Sequence, residues 1–148
     1  AMRQNDVLTL LKDSTRAGIY HLPSSARTVV KAAARSAGFA CFQVSLADAD
    51  RIDEVFVRLA QNLAFPEWYG QNFDALKDCL SDFSWCEAAG YVLMISGAGA
   101  LQAADPAAFH ALNAVFVAAI AEWQARKLPL WVFYDLRTDG LAPFPTIT

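Results

Sequence analysis

Cysteine, histidine and positive charge are all scarce in this sequence, and each scarcity removes a class of function. The three cysteines, Cys41, Cys79 and Cys86, are odd in number and lack CxxC spacing. That argues against a disulfide framework or a zinc site and for reduced thiols in a cytoplasm. Only His21 and His110 are present, neither close in sequence to the acidic stretch described below, so metal ligation and imidazole catalysis have no evident seat. Lys and Arg number 12 against 15 Asp and Glu, a net charge of −3 with a pI near 5.2. With no basic cluster apparent along the chain, a general nucleic-acid binder, which must displace counterions from phosphates, is not indicated. No apolar leader-like region opens the sequence, and no stretch approaches the roughly 20 uninterrupted apolar residues that span a bilayer. Ala1 ahead of Met2 is expected to be left over from cloning. A glycine-rich phosphate loop, a serine elbow, internal repeats and low-complexity linkers are also missing.

What the sequence has is apolar content: 55% over 148 residues, ample for the core of one domain. The expected organisation is a single domain, 1–148, with an N-terminal extension over 2–37, a core over 38–135 and an irregular tail over 136–148. Val7, Leu10 and Leu11 suggest a short helix after Asn5, and Ile19 to Leu22 a short strand ending at Pro23. Ser24 or Ser25 is placed to cap a helix running through Val29, Val30 and Ala32 to Ala34, with Gly38 as its stop signal. FACFQVSL from Phe39 reads as a buried strand, and Ile52, Val55, Phe56, Leu59 and Leu63 mark one face of a helix over about 51–63. Tyr91 to Ile95 reads as another strand, followed by SGAGAL as a loop. Asp105 and Pro106 open a long helix with a core stripe of Phe109, Leu112, Phe116, Ile120 and Trp123. Leu130 to Tyr134 closes the series, and Gly140, Pro143 and Pro145 forbid regular structure after it. Strands that are apolar throughout and alternate with helices imply an α/β fold, a parallel sheet of three to four strands flanked by helices in three layers. The strand and helix of the extension would add one more right-handed βαβ unit to that sheet.

The stretch FPEWYGQNFDALKDCLSDF, Phe65 to Phe83, carries the most information. At 100° per residue from Asn72, Phe73, Leu76, Cys79, Leu80 and Phe83 share one side, whereas Asp74, Lys77, Asp78, Ser81 and Asp82 share the other. Asp74, Asp78 and Asp82 recur at four-residue intervals, where like charges destabilise a helix by roughly 0.2–0.5 kcal/mol per pair, relieved within the segment only by Lys77. Asp74 in the first turn suits the helix dipole, but Asp78 and Asp82 lie too far along to profit from it. Trp68 and Tyr69 precede the helix, and large rings beside charge that can be desolvated are the usual anchors of an interface.

PEWYGQNFDALKDCL resembles the signature of the barstar family of ribonuclease inhibitors, whose pattern is close to PEYYGENLDALWDCL. The resemblance is strongest near residues 62–83 and extends over about 39–134. It implies a small α/β domain that plugs the active site of a ribonuclease in a one-to-one complex, with Asp74 and Asp78 in the enzyme's phosphate-binding region. It further implies contacts from Trp68 and Tyr69, a hinge at Gly70, a helix start at Asn72 beside Phe73, and contacts from Ser81, Asp82 and Phe83 after the second aspartate. The chain departs from the best-known member at Lys77, which replaces a tryptophan, at Asp82, which replaces a small residue, and at Phe83, which replaces another tryptophan. A cation at Lys77 changes the surface offered to the partner. The family's acidic residue on the last helix falls on Glu122 when aligned backward from the final strand and on Ala118 when aligned forward; Glu122 is preferred. These implications include no cofactor, no metal, no catalytic residue, no membrane and no direct contact with nucleic acid.

A ribonuclease must hold a polyanion, so its cleft is lined with Arg and Lys, and a row of carboxylates imitates phosphate; barnase and barstar themselves are the standard measured case of such steering. Two other readings compete. The acidic face could meet a basic partner other than a ribonuclease, or Asp74, Asp78 and Asp82 with Glu67 could bind a divalent metal in a hydrolase. Cys79 is a poor nucleophile candidate, because it lies toward the apolar face.

Overall fold

The structure is a computed structural model that describes residues 3–137 and 142–144. Its elements, in chain order, are α1 (Gln4–Lys12), β1 (Ile19–His21), α2 (Arg27–Ser36), β2 (Ala40–Ser45), α3 (Ile52–Leu63), α4 (Phe73–Leu80), β3 (Tyr91–Ser96), α5 (Gly99–Ala104), α6 (Pro106–Ala125) and β4 (Leu130–Tyr134). The four strands form one all-parallel sheet in the order β1-β4-β3-β2. The strands β3, apolar up to Ser96, and β4 fill its centre and, Ser96 apart, are buried throughout, as a parallel sheet covered on both faces requires.

Side-chain alternation assigns the helices to the two faces. On one face Trp131 donates its indole N–H to Leu11 O at the end of α1, 2.9 Å, and Gln43 accepts from Arg27 of α2, 2.9 Å. On the other Tyr134 bonds Asn113 of α6 and Phe42 stacks on Phe83 just after α4. α1 and α2 pack together, α4 packs on α6, and the expected three-layer α/β architecture follows.

Several sequence expectations are corrected. Neither Ser24 nor Ser25 caps α2, because residues Ser24–Ala26 form a 3-10 turn and Ala26, with no capping side chain, leads into the helix. FACFQVSL is an edge strand, half exposed on alternate residues, rather than a buried one. SGAGAL is not a plain loop: Gly97, at φ 74°, lies so close to Ala47 N that a Cβ would sit 2.7 Å away, and α5 starts two residues later and buries Leu101. β1 does extend the sheet, but beside β4, so α2 crosses between strands on opposite edges. The tail is partly ordered, since Phe144 is buried and donates its N–H to His21 O at 2.8 Å, and Pro143 bridges His21; Gly140 and Pro145 lie outside the described residues. The cations do cluster, because α2 aligns Arg27, Lys31 and Arg35 at four-residue intervals.

α6 opens as expected, with Asp105 Oδ1 accepting from Ala108 N at 3.0 Å and Pro106 at its first position. Among the described residues it is the one helix long and apolar enough to cross a membrane, yet its stripe of Phe109, Leu112, Phe116, Ile120 and Trp123 is buried in the core. His110 is exposed, and His21 ends β1.

Candidate functional site

The loop that precedes α4 is set by backbone conformations that L-residues rarely adopt. Ala64 ends α3 at φ 53°, Gln71 sits at φ 53° and Phe83 at φ 48°. Two of the five non-glycine residues with positive φ among the described residues thus fall in this loop, and Phe83 follows α4; such conformations often mark functional loops. The left-handed step is at Gln71 and not at Gly70.

Between these points Tyr69 N donates to Pro66 O at 3.0 Å, closing a turn with Glu67 and Trp68 at its tip. Trp68 is consequently 60% exposed. Tyr69 turns inward, its ring 4.9 Å from Phe65, and its buried hydroxyl has no hydrogen-bond partner among the described residues. Burial raises the pKa of that hydroxyl far above the ordinary tyrosine value, with the neighbouring Cys79 adding to the effect.

Asn72 then caps α4, its Oδ1 accepting from Ala75 N at 2.7 Å. Leu76, Cys79 and Leu80 are buried and Phe73 packs edge-on against Phe56 at 5.1 Å, so the periodic face is core as expected. Cys79 is fully enclosed, and burial, followed by the Asp78 and Asp82 carboxylates, pushes its thiol up to about 11. Asp74 and Asp78 project outward; both are exposed, and neither takes part in an ion pair among the described residues.

The other expected contacts are divided by the structure. α4 ends at Leu80, so Asp82 lies beyond the helix; it is exposed and accepts from Ser84 Oγ at 3.0 Å. Ser81 was assigned to the outward side but is buried, as the last turn unwinds beneath α6. Phe83 is also lost as an accessible contact: its left-handed backbone turns the ring inward, where it stacks on Tyr91 at 4.4 Å and lies 5.5 Å from Trp85. Lys77 does not relieve the aspartates; its Nζ donates to Glu122 at 3.1 Å, and Arg126 approaches the same carboxylate at 3.8 Å. Glu122 therefore borders α4, half exposed but held by two cations, whereas Ala118 lies one turn earlier on α6.

Arg126, which went unnoticed in the sequence, and Trp123, read there only as a core residue, fasten α4 to α6. Trp123 donates its indole N–H to Leu80 O at 2.6 Å, and Arg126 donates to Ser81 O at 2.7 Å with its guanidinium 4.5 Å from the Trp123 ring centre. The spacing of Glu122 and Arg126, one helical turn, was the available signal. Together these bonds satisfy carbonyls that the end of a helix otherwise leaves unpaired.

An exposed indole, a capped helix start and two unpaired carboxylates one turn apart make a surface suited to a cationic cleft. No group of three His, Cys, Asp or Glu side chains among the described residues is placed to hold a metal ion. A model of the barstar family, described as barnase inhibitors, matches residues 39–135. The chain belongs to the barstar family. No curated protein matches it. The barstar match takes in β2 to β4 with α3 to α6 and hence the whole α4 surface, and it leaves α1, β1 and α2 outside. Barstar-family proteins are inhibitors rather than enzymes, which agrees with a site built of exposed carboxylates and an indole.

Proposed function

We propose that this protein inhibits a ribonuclease in the cytoplasm, forming a one-to-one complex in which α4 and the turn before it occupy the enzyme's basic cleft. The observation that carries this reading is the exposure of Asp74 and Asp78, unpaired and on one side of α4, next in sequence to the bare ring of Trp68. The two carboxylates take the place of phosphates, Trp68 supplies desolvated contact area, and Asn72 fixes the helix start that aims Asp74. Glu122 and Lys77 border the contact as a preformed pair, so they meet the enzyme nearly neutral together. Lys77 and the inward Phe83 favour a target whose cleft differs from that of the enzyme bound by the best-known family member.

The test is co-purification with basic ribonucleases and titration of RNA cleavage in the absence of added metal. A one-to-one complex that abolishes cleavage is the expected result. A complex with a basic partner that has no ribonuclease activity would replace the target class, and metal-dependent turnover by the chain alone would overturn the reading.

A further inference from the structure

Charge is divided unevenly between the family-matched region and the rest. Residues 3–38 carry six Lys and Arg against two Asp, whereas the matched residues 39–135 carry five against twelve Asp and Glu. Within the basic part, Arg27, Lys31 and Arg35 follow one another along α2, stepping about 6 Å per interval. All three act on the exposed Cys41 of edge strand β2, and Arg27 bonds Gln43 two residues on, so the cations line one border of the molecule. None of the ion pairs among the described residues includes them. They repel one another at this spacing, and Arg27 sits at the positive end of its own helix dipole. Within the fold Arg27 is held by Gln43, but no carboxylate among the described residues pairs with the row.

The counterpart is present on the same molecule. Asp74 and Asp78 of α4 have the same one-turn spacing and likewise take part in no ion pair among the described residues, but α4 lies on the opposite face of the sheet from α2, so the two stripes cannot meet within one chain. We propose that the basic stripe of α2 receives the acidic stripe of α4 from a second copy of this protein. Each such contact leaves one stripe free on either copy, so the association is head to tail and does not close at a dimer. It rests on surface charges, with Arg35, Asp74 and Asp78 exposed and Arg27 and Lys31 half-buried, and is therefore weak and readily screened by salt. Since it covers Asp74 and Asp78, it competes with the partner of α4; that competition rests on the ribonuclease reading, but the association does not, and its test uses no ribonuclease.

Sedimentation velocity on the full chain, run over a wide concentration range at about 0.02 M and again at about 0.3 M salt, reads the association directly. At low salt the weight-average mass is expected to climb with concentration past that of a dimer, and at high salt to return to the monomer. Arg27→Gln/Lys31→Gln/Arg35→Gln and Asp74→Asn/Asp78→Asn should each stay monomeric with unchanged circular dichroism. An equimolar mixture of the two variants should form a one-to-one heterodimer and grow no further, because only one complementary pair of stripes survives. A wild-type chain that stays monomeric at low salt overturns the proposal, as does association that persists in the α2 variant or a mixture that fails to pair. Wild-type chain that remains monomeric yet binds single-stranded RNA through the α2 cations would also overturn it, in favour of a polyanion as the occupant.

Discussion

If α4 enters a ribonuclease as proposed, Asp78 is the side chain on which inhibition and stability pull in different directions. It is exposed one turn from Asp74, so Asp78→Ala removes a like-charge repulsion worth roughly 0.2–0.5 kcal/mol and leaves the buried face of α4 untouched. Inhibition is expected to weaken by about 2–5 kcal/mol, because the cation that faces Asp78 in the enzyme is left unpaired. A titration of ribonuclease activity beside a thermal melt checks both; a variant that unfolds would mean that Asp78 is structural. Phe83→Ala should do the reverse, costing about 3–5 kcal/mol of folding stability, since its ring stacks on Tyr91 and Phe42 in the core. Phe83 also shows what single residues disclose in a sequence. Helical periodicity put it in the core, the family pattern put it on the contact surface, and the structure follows periodicity because the chain turns left-handed there. Asp74 and Asp78 were legible for the same local reason. The capture of Lys77 by Glu122 was not, because it joins residues 45 apart, which no local spacing encodes.

Among the elements, those with a strong internal period were the legible ones: α3, α4 and α6 begin and bury as their apolar spacing requires. The position of a strand in the sheet was hidden, because β2 and β4 are both apolar enough to read as buried while only β4 lies between two neighbours. α5 was hidden because six residues carry too little pattern. The junction of α4 with α6 yields a test of its own. Trp123→Phe keeps an aromatic ring in the core but removes the donor to Leu80 O, and should cost about 1–3 kcal/mol in chemical denaturation for the carbonyl left unpaired. Buried thiol and phenol groups make the fold sensitive to alkali. Cys79 is raised from 9.0 to about 11, and Tyr69, Tyr91 and Tyr134 are raised by burial as well. Because these folded values exceed the unfolded ones, the unfolded chain loses its protons first. The stability conferred by burying the neutral groups is whole below about pH 9 and declines as pH rises toward 11. Melting temperatures recorded from neutral to alkaline pH should stay level and then fall, with a shallower fall in Cys79→Ala.

The molecule as a whole is polarised, with an acidic family-matched region and a basic layer outside it. An acidic surface that meets a cationic cleft steers the encounter, so added salt should slow association with the ribonuclease much more than it speeds dissociation; a salt-independent association rate would count against steering. The basic layer is also a structural necessity of this chain, although the family pattern begins only at residue 39. α1 and α2 bury Leu11, Val30, Ala33 and Ala34 and cover the sheet face that carries Trp131 and Phe133. Uncovering two aromatic side chains of about 150–250 Å² each forfeits on the order of 8–12 kcal/mol, as much as a domain's entire stability. Trp131 would in addition lose Leu11 O as the acceptor for its indole N–H. A chain cut to residues 39–148 is therefore expected to lose cooperative unfolding and to bind a hydrophobic dye. Cooperative melting of that fragment would mean that the family-matched part can shield its own sheet, and that the basic layer is present for its charge alone.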